Sequence, residues 1–294
     1  MVKIMNKIKK IGLLRTLDDV LGNRLSFLRY CYCKLLNKTY FGSYCAATQG
    51  KVIRHHYMQR LIHTYIHTYI PHKLHIIELG AWAGGSAITW AEAIKKYYNG
   101  KGMVLCVDSW TDYIDTKRDN QWTHIMMKNA FKQDRILKLF LHNVLASKHS
   151  DIISYIRGYT DEIYYLFKEN AFDIVFIDAN HSYDFIKKDI SMFATFVKEG
   201  GILCGDDLEL QYKDVDAQFL NNFKTHDVIT DPSTQKRYHP GVTLAVYEYF
   251  KTDVSVWEGF WAMQKTKTGW KTFCLKEIGE KEIINIPEHL RSAL

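Results

Sequence analysis

The stretch FIDANHSYD, residues 176–184, ends an apolar run on Asp178 and places His181 three residues later. A carboxylate and an imidazole at that spacing suit a metal ligand beside a general base, part of a hydrolase dyad, or a strand end followed by a turn. A second acidic group, Asp206 with Asp207, closes the run GGILCGDD. If the two apolar runs lie side by side, three carboxylates converge. Clustered like charges repel unless a cation sits among them, and a hard divalent ion such as Mg2+ accepts two or three carboxylates while keeping positions for water or substrate oxygens. No serine or cysteine elbow accompanies the pair, which counts against a hydrolase.

A third set of residues lies earlier, in IIELGAWAGGSAITWAEAI. The chain leaves a strand through Glu78, passes Gly80, Gly84 and Gly85, and enters a helix. Glycines permit a tight turn and close backbone approach by a ligand, and the helix start offers free N–H groups to a carboxylate or phosphate. A dinucleotide fingerprint would require glycine where Trp82 stands. Glu78 also disfavours a doubly charged pyrophosphate and suits a ligand bearing positive charge, such as S-adenosylmethionine. Asp108 ends the run VLCVD about 30 residues after Glu78, with the right chemistry for a pair of ribose hydroxyls.

These residues must be held by elements, and the pattern supplies them. After Pro71, apolar runs of strand length alternate with helical stretches, the mark of an α/β domain with a mainly parallel sheet. Strands are expected at 74–79, 103–107, 152–157, 172–177, 201–205 and 242–250. Helices are expected at 85–98, 124–141, 161–169, 183–198 and 214–223. Upstream, a helix runs from Arg54 to Ile70, carrying HTYIHTYI with His63 and His67 on one face. That pair reads as a polar face rather than a metal site, because no carboxylate completes the set within the helix. Residues from 253 onward read as a hairpin turning at Lys265–Gly269. In open parallel sheets ligands bind beyond the carboxyl ends of the strands, where Glu78, Asp108, Asp178 and the Asp206–Asp207 pair would all lie.

The Glu78, Gly80, Gly84 spacing with Asp108 after the second strand resembles the class I S-adenosylmethionine-dependent methyltransferases, over roughly residues 72–250. The resemblance implies a Rossmann-like fold: a mostly parallel seven-stranded sheet with helices on both faces, plus an N-terminal helical extension and a C-terminal β-hairpin. It divides the chain at 1–53, 54–252 and 253–294. It also implies S-adenosylmethionine contacts from Glu78, Gly80, Ala81, Gly84, Gly85, Ser86, Asp108, Ser109 and Asp178. Gly158, Tyr159 and Thr160 would stand near the adenine. One Asp after the fourth strand and an acidic pair after the fifth resembles the metal-dependent O-methyltransferases of sugars and natural products. Asp178, Asp206 and Asp207 would then hold Mg2+, which lowers the pKa of an acceptor hydroxyl as a Lewis acid. His181 has three open roles: the base, a local helix-start residue, or a further ligand. Where related sugar enzymes carry an acid two residues after the metal Asp, this chain has Asn180, which cannot accept a proton and shifts weight toward His181.

The acceptor implied is a small hydroxylated molecule, a sugar foremost. The insertion SWTDYIDTKRDNQWTHIMMKNAF reads either as a lid, with Trp110, Tyr113 and Trp122 stacking on a ring, or as a core helix with a solvated loop. The stretch KRYHPGV brings Arg237, His239 and Pro240 toward the same edge. An RNA methyltransferase and a non-catalytic S-adenosylmethionine-binding module are the alternatives. The first has support only from charge: residues 1–60 hold 12 Lys and Arg against 2 Asp, while the remainder carries 27 against 30 acidic residues. A nucleic-acid partner is therefore disfavoured for the catalytic body.

With 294 residues and 47% hydrophobic content the chain can bury a sizeable core. The opening MVKIMNKIKKIGLLR has the spacing of a basic amphipathic helix, open to packing on the body, to peripheral contact with an anionic membrane through residues 1–15, or to a homo-oligomer contact. No run reaches the ~18 apolar residues of a membrane span, and no signal-peptide core follows the first lysines. The six cysteines are scattered, and Cys106 and Cys204 sit inside apolar runs as small hydrophobes, which fits a reducing cytoplasm.

Overall fold

The computed structural model describes residues 24–49, 52–119 and 121–276. The basic opening, residues 1–15, and the segment 277–294 lie outside them. The central sheet follows from alternation: along each inner strand, successive residues enter two different cores, one on each face. Ile76, Val104, Ile174, Phe176, Ile202 and Cys204 join the core on one face. Ile77, Leu79, Val107, Val175, Ile177 and Leu203 join the other. Cys106 and Cys204 are fully buried, as their apolar runs require.

The parallel part contains β1 (Leu74–Leu79), β2 (Gly102–Asp108), β3 (Ile153–Arg157), β4 (Phe172–Ile177) and β5 (Val197–Leu208). Their spatial order is β5-β4-β1-β2-β3, with every neighbouring pair parallel. The chain's direction of winding therefore reverses between β1 and β4, the topological switch point at which such sheets open a crevice. Helices α1 (Arg24–Leu35), α2 (Ile53–Tyr69), α3 (Gly85–Tyr98), α4 (Trp122–Phe131), α5 (Arg135–Ala146), α6 (Thr160–Ile163), α7 (Tyr183–Phe193), α8 (Ala217–Phe223) and α9 (Pro240–Phe250) complete the layers. α2 ends with Ile70 in the left-handed region, just before Pro71. The single helix expected over 124–141 is two, because Gln133 and Asp134 take positive φ between α4 and α5.

Other expectations fail, among them the helix read over 183–198, which ends at Phe193 before β5 starts at Val197. Residues 242–250, read as the last strand, form α9 instead. Their β-branched and aromatic content fits a strand, but a buried apolar run cannot be told from a buried helix by periodicity alone. A residue two positions ahead of the run favours the helix: Pro240 stands in its first turn, where a missing N–H costs nothing, and α9 packs on α7. The strand slot beside β5 goes to the C-terminal segment, where β8 (Ser255–Trp257), β9 (Gly259–Thr266) and β10 (Gly269–Thr272) follow one another. The hairpin turns where expected, yet β9 pairs antiparallel with β5 and with both β8 and β10, so the hairpin is part of the sheet rather than packed on it. Among the described residues the sheet accordingly has eight strands, one more than expected. A separate two-stranded ribbon pairs β6 (Ile229–Thr230) with β7 (Arg237–Tyr238).

Candidate active site

The carboxyl ends of β1, β2, β4 and β5 border a cleft of about 360 Å³, within the range of small-molecule sites. Its floor is the glycine turn. Gly80 has φ +87°, and a Cβ there would collide with the Asp178 carbonyl oxygen. Only glycine lets β1 exit directly beneath the end of β4. Trp82, where a second glycine was missing from the sequence pattern, adopts φ +45°. Its strained backbone is held on three sides: its N–H donates to Asp108 Oδ2 (2.9 Å), its carbonyl accepts from Trp110 Nε1 (2.9 Å), and its own Nε1 donates to the Ala46 carbonyl (3.0 Å).

Asp108 takes the Trp110 N–H on its other oxygen (2.7 Å) while lining the cleft. Burial pushes its carboxyl up, and the N–H groups of Trp110, Trp82 and Ala81 pull the other way. Glu78 lies deeper. It is fully buried beneath the turn, accepts a hydrogen bond from the Ser86 hydroxyl, and leaves Oε2 without a partner. Burial raises its carboxyl to about 8, against the pull of Ser86. Of the residues expected to hold the cofactor, Gly80, Ala81, Gly85, Ser86, Asp108, Ser109, Gly158, Tyr159 and Asp178 line the cleft, as does Thr160. Glu78 and Gly84 stand behind it: Gly84 caps α3 in the left-handed region, against Phe140.

At the far end the three carboxylates do converge. Asp178 follows β4, with its N–H donating to the Leu79 carbonyl. Asp206 and Asp207 are consecutive, so an ordinary strand would point them to opposite faces. The pairing of β5 with β9 shifts between Gly205 and Leu208, three steps on β5 facing two on β9, and Asp207 has φ +65°. That bulge turns both side chains to one edge. Donor atoms of Asp178, Asp206 and Asp207 lie within 4.8 Å of one another, an all-oxygen set whose chemistry fits a hard divalent cation. The same cluster already faces a positive charge that the sequence pattern did not connect to it. Arg54 Nη1, from the first turn of α2, reaches Asp178 Oδ2 at 3.0 Å and also contacts Asp206 Oδ2. Burial, with Asp207 and Asp178 nearby, pushes Asp206 up to about 7 although Arg54 opposes it. Burial acts on Asp207 too, but His239, His181 and Arg54 outweigh it and hold that carboxyl well below the usual range.

His181 sits in the middle of a relay. Nδ1 is 2.7 Å from Asp227 Oδ1, and Nε2 is 3.0 Å from Asp207 Oδ2 and 4.0 Å from Asp178 Oδ1. Burial disfavours its charged form, yet Asp207, Asp178 and Asp227 together raise its pKa well above the ordinary imidazole value. Asp227 is held in turn by His124 Nε2 (2.7 Å), and its backbone N–H donates to Asp119 Oδ1. The insertion after Asp108 therefore reaches the histidine through Asp227. On the other flank, the His239 ring lies 4.6 Å from that of His181, with Nδ1 on Glu209 (3.1 Å). Asn180 uses its side-chain oxygen to accept the Ser182 N–H, a turn contact.

Several lining residues went unnoticed in the sequence: Thr48 and Gln49 from the loop before α2, Thr123 and Met127 from α4, and Asp189 from α7. Burial raises Asp189 to about 7 while Thr160 Oγ1 donates to it at 2.6 Å. No local pattern marks any of them. Of the aromatic residues expected to stack on a substrate, Tyr113 lines the cleft. Trp110 does not: it is 1% exposed and packs between Phe140 and Tyr155 as core. Trp122 is exposed and outside the lining. Arg237 donates to Gln121 on the surface.

Residues 77–208 match the model of a family described as a methyltransferase domain. No curated protein matches the chain. Among solved structures it is similar to the O-methyltransferase NovP (14% identity, 73% of this chain and 80% of that one, TM-score 0.48). TomG, an O-methyltransferase of tomaymycin synthesis from Streptomyces achromogenes in complex with SAM, gives 15% identity over 71% and 79%, TM-score 0.43. An O-methyltransferase from Bacillus cereus in complex with SAH gives 14% over 73% and 80%, TM-score 0.42.

Proposed function

We propose that this chain, whose residues 77–208 match a methyltransferase domain, uses S-adenosylmethionine to transfer a methyl group to a hydroxyl of a small acceptor, a sugar foremost, with help from a divalent cation. The observation that carries this reading is the pairing, in one cleft, of the glycine turn and Asp108 with Asp178, Asp207 and His181, Asp206 standing beside Asp178 and Asp207. The cofactor's ribose would sit on Asp108, its carboxylate at the start of α3, and its adenine by Gly158, Tyr159 and Thr160, which line the cleft. A cation held by Asp178, Asp206 and Asp207 would supply Lewis acidity to the acceptor hydroxyl.

The chain's own part is orientation and proton handling. Asp227 fixes Nδ1 of His181, which turns Nε2 toward the carboxylates and the acceptor. The carboxylates that raise the His181 pKa keep it protonated, so base action requires Asp178 and Asp207 to be neutralised first, as a bound cation would do; Nε2 of the then neutral imidazole would take the hydroxyl proton as the oxygen attacks the sulfonium methyl. Tyr113, Thr123 and Met127 line the same cleft and would border the acceptor. Among the described residues no helix is long and apolar enough to cross a membrane. All six cysteines are free thiols, which suits a reducing compartment such as the cytoplasm. Methyl transfer from labelled S-adenosylmethionine to nucleotide sugars, phenols and RNA, with and without Mg2+, tests the reading. Chelator-sensitive labelling of a hydroxylated small molecule is expected; labelling confined to RNA would overturn it.

A further inference from the structure

The acidic cluster faces a cation that the chain supplies itself, and its geometry is unusual for an arginine. A guanidinium normally grips one carboxylate through two parallel N–H groups. Here a single nitrogen, Nη1 of Arg54, serves two carboxylates from two strands, Asp178 after β4 and Asp206 on β5. That is how a point cation sits. Nε of the same side chain is buried with no hydrogen-bond partner, so the fork is only partly used, and withdrawal toward water would satisfy a group that the present seat leaves bare. The two oxygens engaged belong to the carboxylates that a divalent ion would need, together with Asp207. A guanidinium and a doubly charged ion cannot both occupy them without strong repulsion at such range.

We propose that Arg54 and a divalent cation are alternative occupants of the Asp178, Asp206 and Asp207 seat, so that metal loading displaces Arg54 and the first turn of α2 acts as the latch. The inference rests on the cation reading given above. In the unloaded protein Arg54 holds Asp178 and Asp206 together while His181 faces Asp207, preserving the seat. Thr48 and Gln49, just upstream of α2, line the same cleft, and Gln49 stands against Gly85 of the glycine turn. Displacement of Arg54 therefore acts on a segment that also borders the cofactor's end of the cleft.

Mn2+ is the probe, with free ion measured by electron paramagnetic resonance in the absence of acceptor. Arg54→Met, which keeps the apolar stem and removes the charge, is expected to bind Mn2+ at least tenfold more tightly than the parent. Adding Asp206→Asn should abolish that gain. A second measurement needs no substitution: the rate of phenylglyoxal modification at Arg54 of the parent, mapped by mass spectrometry, should rise at least fivefold at saturating Mn2+. Equal Mn2+ affinity in parent and Arg54→Met, or an unchanged modification rate under saturation, overturns the latch and leaves the cation reading intact. Failure of both proteins to bind Mn2+ overturns the two together.

Discussion

Replacing Glu78 by glutamine tests the electrostatics beneath the glycine turn. Glu78 is fully buried, with one oxygen on the Ser86 hydroxyl and the other bare. Burial moves its carboxyl from 4.5 to about 8. Between those values the folded protein holds a proton that the unfolded chain has released, so this group's contribution to stability is complete below the unfolded pKa and is lost as pH rises through about 8. From about pH 5 to pH 7.5, at ~1.4 kcal/mol per unit, the loss is roughly 3 kcal/mol. In melting temperature that is on the order of 6–12 °C for a chain of this size. Glutamine keeps a carbonyl for Ser86 and does not titrate. Urea unfolding of parent and Glu78→Gln across that pH range isolates the term, because Asp189 and Asp206, also raised to about 7, titrate in both proteins. The difference in stability should shift in favour of the variant by roughly 3 kcal/mol as pH rises. Parallel pH profiles would refute the reasoning and place an ionised carboxylate under the turn.

Two further substitutions address the ends of the cleft. Asp108→Ala strands the N–H groups of Trp82 and Trp110, at about 1–3 kcal/mol each, and should abolish the thermal shift given by S-adenosylhomocysteine; a variant with the parent's shift would take Asp108 out of the cofactor site. Asp227→Asn weakens the hold on His181 and should lower kcat on the order of tenfold or more, with S-adenosylhomocysteine affinity unchanged. An unaltered kcat would show that Asp227 only braces the insertion.

Which parts of the fold could be read in advance depended on whether a local pattern had one physical solution. β1 and β4 were placed to the residue, because a short apolar run bounded by a polar turn and followed by a helix start leaves little else. The run at 242–250 had two solutions, and β9 took the sheet position that would have made it a strand. The break between α4 and α5 rests on two non-glycine residues with positive φ, which composition does not announce.

The site divides the same way. Residue types at strand ends foretold that Asp178, Asp206 and Asp207 would meet, because a parallel sheet carries all strand ends to one edge. Arg54 and Asp227 were invisible. Arg54 lies 124 and 152 residues before its carboxylates, on a helix whose pattern speaks only of its apolar face, and Asp227 lies 46 residues beyond His181 in a loop without periodicity. The order of residues was enough to say which chemistry gathers at the strand ends. Which charges answer that chemistry was settled by packing, since a hydrogen bond between distant segments depends on where two backbones are brought together and leaves no trace in the spacing of either.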